Sequence, residues 1–439
     1  MNVFIIPSWY PHRCSPLQGS FLVEQAAAIA STRPGWNVGL SLWGQSEGFV
    51  STAHLLKSPR CLFDALALRP GERELAPGLV EFMTPALWWP ERAFGGNRAA
   101  LLDANRRNLE RAIGRFGPVD VLHAHVSYPA GWLAMKLGAE TGIPYVLTEH
   151  MGPFPLPVYA RRDGRLKDIL REPLEHAAAR IAVGPALART IAGFGLPEPE
   201  LIPNLVDERL HRGEAVPDPG HFTFFTLCAM DPMKGVSDLL RGAARFIGEL
   251  PERDRPRVRF RIAGDGPLLA HHRREARELR LDQALTWLGQ LPRERAREEF
   301  AHCDCFVLTS RHESFGVVFV EAGAAGKPVI ATRCGGPETI VTPENGVLLG
   351  VGDIEGIAGA LRFMFENGRN YDAGRIRRQT VERYGREAVV SRLEAVYRRV
   401  IGTPAKGRNG WVERGLITPA AGPSPEDPPV RSPAPPPPR

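Results

Sequence analysis

Apolar residues along the chain form short unbroken runs that alternate with longer stretches in which every third or fourth residue is apolar. The unbroken runs predict strands covered on both faces, as in a parallel sheet, and the longer stretches predict amphipathic helices. In the first half the predicted strands are residues 3–6, 38–42, 119–123, 145–148 and 181–183, with helices at 21–31, 98–116 and 132–141. This alternation predicts a doubly wound α/β domain.

The same pattern begins again in the second half of the chain. Its predicted strands are residues 222–227, 258–263, 285–288, 305–308 and 328–331, with helices at 236–250, 268–279 and 293–302. A polar stretch that contains Pro and Gly separates the two sets and predicts a linker. We therefore predict one domain at residues 1–205, a second at 206–385, a final helix at 386–402 and a disordered Pro-rich tail at 403–439.

Composition narrows the class of protein. The 55 Lys and Arg residues and 49 Asp and Glu residues give a net charge of +6. This charge does not predict binding to nucleic acid, but it suits a protein that handles diphosphates or touches an anionic membrane surface. The six cysteines lack the spacing of zinc ligands, which favours a reduced, cytoplasmic protein. Because no apolar run is long enough to span a bilayer and the first residues lack a signal-peptide pattern, we expect a soluble protein.

Two glutamates bracket a candidate anion site in the segment at residues 309–321. The segment opens at the end of a predicted strand, where α/β folds bind their ligands. Residues 317–325 predict a helix, whose first backbone N–H groups would face an anionic ligand. Glu313 lies in the preceding loop, Gly316 permits close backbone approach, and Glu321 lies about one turn inside the helix. The spacing alone fits equally well a capped helix with two solvated glutamates.

The spacing of Glu313 and Glu321 around Ser-Phe-Gly resembles the signature of glycosyltransferase family 4, and residues 326–332 and 335–338 also resemble that family. The resemblance implies the GT-B fold, in which two Rossmann-like domains face a cleft and the C-terminal helix crosses back onto the first domain. It also implies a retaining glycosyltransferase that uses a nucleotide-sugar donor.

The resemblance assigns roles to residues of this segment. Glu313 would contact the transferred hexose on its reacting face, and Glu321 would bind the nucleotide ribose. The backbone that follows Phe315 and Gly316 would contact the hexose and the phosphate. The residues concerned there are Val317 and Val318.

Two further loops of the second half resemble the family in order and position. Gly264 and Gly266 belong to a Gly-Asp-Gly-Pro turn that resembles the family's loop near the nucleotide, although such a turn alone is a weak signal. Gln290 and Leu291 belong to a segment that resembles the loop beside the base.

Lys234 follows the first predicted strand of the second domain, and a lysine there would stabilise a leaving diphosphate without a metal ion. An isolated lysine at a turn is usually only exposed. Five residues earlier the family commonly has an arginine that grips the same diphosphate, whereas this chain has Ala229. Half of the expected cationic clamp is therefore missing, which leaves either weaker donor binding or a substitute side chain.

The first domain offers a glycine and three histidines. Gly19, at a predicted helix start, would let the backbone approach the donor diphosphate. His123 and His125 end one predicted strand, and two histidines without a nearby carboxylate are poor evidence for a metal site. His150 ends the next strand, and its Thr-Glu-His context resembles the family segment in which the histidine contacts the donor sugar.

We therefore predict a retaining, metal-independent glycosyltransferase with no bound cofactor, whose candidate catalytic residues are His150, Lys234 and Glu313. It would move a hexose-type sugar from a UDP- or GDP-sugar to a glycan or lipid-linked acceptor in polysaccharide or glycoconjugate biosynthesis. Peripheral contact with the inner membrane face is a further expectation, with the arginines of residues 105–115 as a docking surface. The alternatives are a catalytically weakened scaffold of a polysaccharide assembly complex and, less favoured, a sugar-nucleotide epimerase.

Overall fold

The computed structural model of the chain describes residues 1–12, 18–45, 67–89, 97–211 and 218–402. Strands and helices alternate through the first domain as the apolar pattern predicts. Its elements are β1 (Asn2–Pro7), α1 (Ser20–Thr32), β2 (Asn37–Leu42), β3 (Gly71–Ala76), β4 (Leu79–Met83), α2 (Arg98–Phe116), β5 (Val121–His125), α3 (Trp132–Thr141), β6 (Tyr145–Glu149), α4 (Asp168–His176), β7 (Ala179–Ala182), α5 (Pro185–Gly193) and β8 (Glu200–Leu201).

These strands form an eight-stranded sheet in the order β3-β4-β2-β1-β5-β6-β7-β8. Every neighbouring pair is parallel except the β3–β4 hairpin at one edge. The central strand β1 is buried from Val3 onward, because helices cover both faces of the sheet. The strand order reverses between β1 and β5, and the carboxyl ends of these strands therefore open a crevice.

The second domain repeats this plan with a six-stranded parallel sheet in the order β11-β10-β9-β12-β13-β14. Its order reverses between β9 and β12, so a second crevice opens where these two strands end. Its elements are β9 (Phe222–Leu227), α6 (Val236–Glu249), β10 (Val258–Ala263), α7 (Leu269–Glu278), β11 (Leu285–Gly289), α8 (Arg293–His302), β12 (Cys305–Leu308), α9 (Val317–Ala324), β13 (Val329–Thr332), β14 (Gly346–Leu349), α10 (Ile354–Asn367) and α11 (Ala373–Tyr384).

The chain passes between the domains at two adjacent points. Val206 donates its backbone N–H to the carbonyl of Tyr384 at 2.9 Å, which ties the outgoing and returning segments together. Helix α12 (Arg386–Gly402) then packs in the core of the first domain with α1. Its buried Tyr397 hydroxyl lies 2.6 Å from Nδ1 of His123. The C-terminal helix therefore belongs structurally to the first domain.

The prediction of two parallel α/β domains is confirmed, while several element limits were wrong. Strand β5 begins two residues later than predicted, because its register pairs Val121 with Val3 of β1. The β3–β4 hairpin was not predicted, since β3 is a mostly exposed edge strand with the polar sequence Gly-Glu-Arg-Glu-Leu-Ala. The domain limits at 205 and 385 stay predictions, and the Pro-rich tail at 403–439 lies outside the described residues.

Candidate functional site

A cavity of about 610 Å³ opens between the two domains, at the carboxyl ends of the second sheet. Its volume falls in the range of sites that enclose small ligands. Its walls combine both domains and the linker. The first domain contributes Gln18, Ser20 and Phe21, the linker contributes His211, and the second domain contributes Leu227, Cys228, Ala229, Gly264, Asp265, Gly266, Gln290, Leu291, Arg293, Ala296, Arg297, Phe300, Val317, Val318 and Glu321. Seven predicted binding residues therefore line one cavity: Gly264, Gly266, Gln290, Leu291, Val317, Val318 and Glu321.

Gly264 is packed too tightly for any other residue. It has φ +130°, and a Cβ added there would lie 1.8 Å from the carbonyl oxygen of Cys228. The Gly-Asp-Gly-Pro turn therefore lies directly against the end of β9, where Gly264 also donates its N–H to the carbonyl of Gly289 at 2.7 Å. The ends of β9, β10 and β11 therefore meet at one wall of the cavity.

Helix α9 points its N-terminus into the cavity. Gly316 precedes the helix with φ +93°, and the buried ring of Phe315 packs edge-to-face on Tyr384, which fixes the turn before it. The first N–H groups of a helix have no partner within it, so the backbone at Val317 and Val318 presents donors and a partial positive charge. Such a helix start is suited to bind anions such as phosphate. Phe315 and Gly316 shape this turn without lining the cavity.

Glu321 is a largely buried carboxylate with no hydrogen bond from the described residues. Its side chain is 16% exposed, and its nearest cation is Arg293, whose Nη2 lies 3.9 Å away. Burial, together with Glu24, raises the pKa of Glu321 to about 7, and the opposing effects of Arg293 and Arg297 do not restore its ordinary value. Buried polar groups are normally hydrogen-bonded. The Glu321 carboxylate at the cavity wall can therefore accept hydrogen bonds from a ligand.

Lys234 and Glu313 form an ion pair next to the cavity. Lys234 ends the short helical turn Pro232–Lys234, which the side chain of Asp231 caps. Its Nζ lies 2.8 Å from Oε1 of Glu313, and Ser310 donates to the same oxygen at 2.8 Å. Burial disfavours the charge on Lys234, but the neighbouring Glu313 outweighs it and raises the pKa of Lys234. Oε2 of Glu313 has no hydrogen-bond partner among the described residues, so one oxygen of this fixed carboxylate is available to a ligand.

The loop of Glu313 touches the first domain directly. A Cβ added to Gly152 would lie 2.0 Å from Oγ of Ser314, and one added to Gly184 would lie 2.6 Å from the Ser314 carbonyl oxygen. Because neither glycine has a side chain, the loop that contains Glu313 packs directly against the first domain. Glu313 is thus brought beside the segment that follows His150, although the two residues are on different domains.

His150 is buried, with 8% of its surface exposed, and its ring lies between His125 and Phe21. Its Nε2 is 3.0 Å from Nδ1 of His125, and the ring of Phe21 is 4.9 Å away. Burial, with the help of His123, lowers the pKa of His150 to about 3. The imidazole is therefore neutral at pH 7. It does not line the cavity, since its Nε2 bonds His125 and its Nδ1 is buried.

His123 and His125 are engaged with protein partners. His123 bonds Tyr397 through Nδ1 and Thr148 through Nε2 at 2.7 Å, and His125 bonds His150. Within the described ranges, one group of three potential metal ligands has its ligand atoms within 4.8 Å of one another. Its members are His271, His272 and Glu275 on α7, outside the cavity lining.

Gly19 caps the start of α1 rather than lining the cavity. It has φ +69°, and a Cβ there would lie 2.5 Å from the carbonyl oxygen of Trp9. Its neighbours Gln18, Ser20 and Phe21 form the wall of the cavity instead. The glycine therefore permits the turn that brings this wall to the cleft.

The cavity contains cationic residues that the sequence reasoning missed. Ala229 is exposed in the wall, so the position of the expected arginine offers no charge. Arg293 and Arg297, on the first turns of α8, line the same cavity. The sequence signal was present, since Arg293 follows the Gly-Gln-Leu loop by two residues, but an arginine at a helix start is usually solvated. His211 was also missed, and burial, with Arg297 and Arg293, lowers its pKa to about 4.

The arginines of α2 are paired within the protein. Arg106 bonds Glu140, with its Nη2 2.8 Å from the carboxylate, and Arg107 lies 2.9 Å from Asp103. Arg111 donates to the carbonyl of Met83 at 2.7 Å. Carboxylates therefore offset the charges of Arg106 and Arg107 on the helix that was expected to dock on a membrane. No helix among the described residues is long and apolar enough to cross a bilayer.

Two family models match the chain. The model described as glycosyl transferases group 1 matches residues 207–387, and the model of glycosyltransferase family 4 matches residues 69–210. Among curated relatives, N-acetyl-alpha-D-glucosaminyl L-malate synthase of Bacillus anthracis is 26% identical over 306 residues, which cover 66% of this chain and 77% of that protein. D-inositol 3-phosphate glycosyltransferase 2 of Catenulispora acidiphila is 28% identical over 315 residues, covering 65% and 72%.

Solved structures share the fold over about nine tenths of the chain. Sucrose-phosphate synthase from Thermosynechococcus elongatus superposes with a TM-score of 0.66 at 19% identity, covering 91% of this chain and 99% of that one. HepE of Anabaena, solved in complex with UDP, superposes with a TM-score of 0.63 at 17% identity, covering 91% and 100%. The predicted GT-B architecture, with two Rossmann-like domains that face a cleft, is confirmed.

Proposed function

This chain belongs to the group 1 glycosyltransferases of the GT-B fold, and we propose that it moves a hexose-type sugar from a UDP- or GDP-sugar to a glycan or lipid-linked acceptor with retention of configuration. The observation that carries the proposal is the Glu321 carboxylate, which is largely buried, lines the cavity and accepts no hydrogen bond from the described residues. A ribose offers two adjacent hydroxyl donors, which match such an acceptor.

The remaining walls suit the other parts of a nucleotide-sugar. Gln290 and Leu291 line the same cavity as Glu321 and would contact the base. The N-terminus of α9, at Val317 and Val318, would bind the diphosphate through backbone N–H groups. A uridine nucleotide is the first to test, because HepE, which has the same fold, was solved in complex with UDP.

The sugar would occupy the space between the two domains. Glu313 is held by Lys234 and Ser310, so its free Oε2 would accept a hydroxyl of the hexose at a fixed position. His150, neutral and enclosed, would bound the sugar from the side of the first domain. Catalysis by such groups depends on positioning rather than on proton transfer from a side chain.

The transfer itself needs few protein groups. The bond between the anomeric carbon and the diphosphate oxygen breaks, and its electron pair leaves with the diphosphate. The acceptor oxygen forms its bond to the anomeric carbon on the same face, and the acceptor proton passes to a diphosphate oxygen. Lys234 and the start of α9 stabilise the charge that develops on the leaving group. On this proposal no metal ion is needed.

We also propose that the acceptor is a glycan or a lipid-linked sugar, made in the cytoplasm at the inner membrane face. The net charge of +6 supports contact with an anionic surface, whereas the paired arginines of α2 argue against that helix as the contact. The scaffold alternative, which rests on Ala229 alone, is not favoured. It predicts that no nucleotide-sugar binds.

The proposal is tested with a thermal-shift panel of UDP- and GDP-sugars, followed by transfer assays in the presence and absence of EDTA. We expect one nucleotide class to stabilise the protein, turnover to persist in EDTA, and NMR of the product to show the anomeric configuration of the donor. Failure of every nucleotide to bind would contradict donor use. Loss of turnover in EDTA, restored by a divalent cation, would contradict metal independence, and an inverted product would contradict retention.

A further inference from the structure

Arg293 lies between two carboxylates that belong to different domains. Its Nη2 bonds Oε1 of Glu24, which is on α1 of the first domain. The same Nη2 is 3.9 Å from Oε1 of Glu321 on α9 of the second domain. Arg297, one turn further along α8, is 3.8 Å from the same oxygen of Glu24. The four side chains therefore form a charge network that spans the cleft at the cavity wall.

The four side chains of this network are partly buried, which limits the screening of their ion pairs by solvent. The side chains of Glu24 and Glu321 are both 16% exposed, that of Arg293 is 26% exposed and that of Arg297 is 20% exposed. Ion pairs at such partly buried positions are screened less by water and salt than those on an open surface. A guanidinium is also the natural bidentate partner of a carboxylate, so Arg293 can pair with either glutamate.

The distances show that Arg293 is bonded to Glu24 and not to Glu321. Arg293 is within hydrogen-bonding distance of Glu24, whereas its separation from Glu321 is too long for a hydrogen bond. Glu321 consequently keeps its oxygens free, although a donor stands next to it. If Glu24 were absent or the domains opened, Arg293 would have Glu321 as its nearest carboxylate and would occupy the acceptor that a ribose needs.

We propose that Glu24 is a positioning residue for donor binding, which acts through Arg293: by holding this arginine across the cleft, it leaves Glu321 free for the nucleotide ribose. This inference rests on the proposed nucleotide-sugar function and assigns two further residues to it. Because Glu24 and Arg293 belong to different domains, their contact depends on the arrangement of the domains seen here, and nucleotide binding would favour that arrangement.

The test is a double-mutant cycle on UDP affinity, measured by titration calorimetry at pH 8 with the full chain. We expect Glu24→Gln to weaken UDP binding about tenfold, because Arg293 is released to pair with Glu321. In the Arg293→Ala background the same Glu24→Gln change is expected to have less than about a twofold effect, since Arg293 is no longer present to pair with Glu321. If the alanine variant folds poorly, Arg293→Lys replaces it as the background of the cycle. This variant keeps a cation but loses the guanidinium group, which can donate two hydrogen bonds to one carboxylate.

Glu387→Gln is the matched control. It removes another contact to α1, the ion pair between Arg33 and Glu387 at 2.8 Å, but that pair lies outside the cavity lining. We expect this variant to bind UDP within about twofold of the wild-type protein. A purely structural role for Glu24 predicts a lowered melting temperature with unchanged affinity for UDP.

The outcomes separate this inference from the proposed function. UDP affinity that is unchanged in Glu24→Gln overturns the positioning role while the donor site stands. Independent effects, in which Glu24→Gln weakens binding about tenfold with or without Arg293, also overturn it. A wild-type protein that binds neither UDP nor GDP overturns the proposed function and this inference with it.

Discussion

Oε1 of Glu313 accepts hydrogen bonds from both Nζ of Lys234 and Oγ of Ser310, each at 2.8 Å, so a residue 79 positions away in sequence fixes this carboxylate. The pair joins the loop after β9 to the loop after β12, the two strands between which the order of the second sheet reverses. In the proposed mechanism, this location would let one cation serve both the leaving diphosphate and the carboxylate beside the sugar.

Replacing Lys234 by Ala should lower kcat for sugar transfer by about 10²–10³-fold, because the developing charge on the diphosphate loses its cation. Steady-state kinetics with saturating donor measures this effect. Lys327→Ala is the control, since Lys327 is a buried lysine of the same domain that does not line the cavity. Equal losses of kcat in the two variants would show that the effect is general destabilisation.

Replacing Glu321 by Ala should weaken binding of UDP by about 10–100-fold, since hydrogen bonds to a charged acceptor are each worth about 1.5–3 kcal/mol. Titration calorimetry checks this loss, and circular dichroism melting shows whether the variant is folded. A folded Glu321→Ala variant with wild-type affinity would place the ribose elsewhere.

The affinity for a UDP-sugar should depend on pH through Glu321. Its pKa is raised from 4.5 to about 7 by burial and Glu24, against Arg293 and Arg297, so the carboxylate is ionised only above that value. Below it, affinity should fall by up to about tenfold per pH unit, because the protonated acid accepts ribose hydrogen bonds poorly. The diphosphate of a UDP-sugar does not titrate in this range, and His211, with a pKa near 4, remains neutral down to the low end of it.

The stability of the free protein should change in the opposite direction. A carboxyl group whose pKa is raised in the folded state favours folding when it is protonated. Stability relative to a Glu321→Gln variant should therefore increase as the pH falls from about 7 towards 4.5. Chemical denaturation at several pH values measures this difference, and affinity in Glu321→Gln should lose its pH dependence. A persistent pH dependence in that variant would assign the titration to another group.

Restoring the expected arginine at position 229 should strengthen donor binding. Ala229 is exposed in the cavity wall, so a longer side chain has room to reach the diphosphate. We expect Ala229→Arg to tighten UDP binding by about tenfold through charge-assisted hydrogen bonds. Ala270→Arg adds the same charge at an exposed position outside this cavity. Equal gains in both variants would point to general electrostatic attraction instead.

Gly264→Ala should destabilise the protein by at least about 2 kcal/mol, because the backbone conformation and the contact with Cys228 both exclude a Cβ. Gly359→Ala provides the contrast, since that glycine lies within α10 with open space around it. This control should be about 0.5–1 kcal/mol more stable than the wild-type protein. Urea unfolding compares the two variants, and similar values would contradict the packing described for the turn.

Much of the fold follows from the sequence because strands buried on both faces leave a local pattern. The segment from β12 to α9 was predicted together with Glu313 and Glu321, since the strand, loop and helix that position them are adjacent in sequence. The edge strand β3 was missed, because its exposed polar residues carry no such pattern. The contact between Arg293 and Glu24 was also missed. It depends on how the two domains meet, which local periodicity does not encode.

The most direct measurement is a crystal structure of the protein with UDP. We expect the nucleotide in the cavity between the domains, with both ribose hydroxyls donating to Glu321, the base beside Leu291 and the diphosphate between Lys234 and the start of α9. Arg293 should remain bonded to Glu24 in that complex. UDP bound away from Glu321, or a cavity in which Arg293 pairs with Glu321 while UDP is bound elsewhere, would contradict the assignment of this cavity as the donor site.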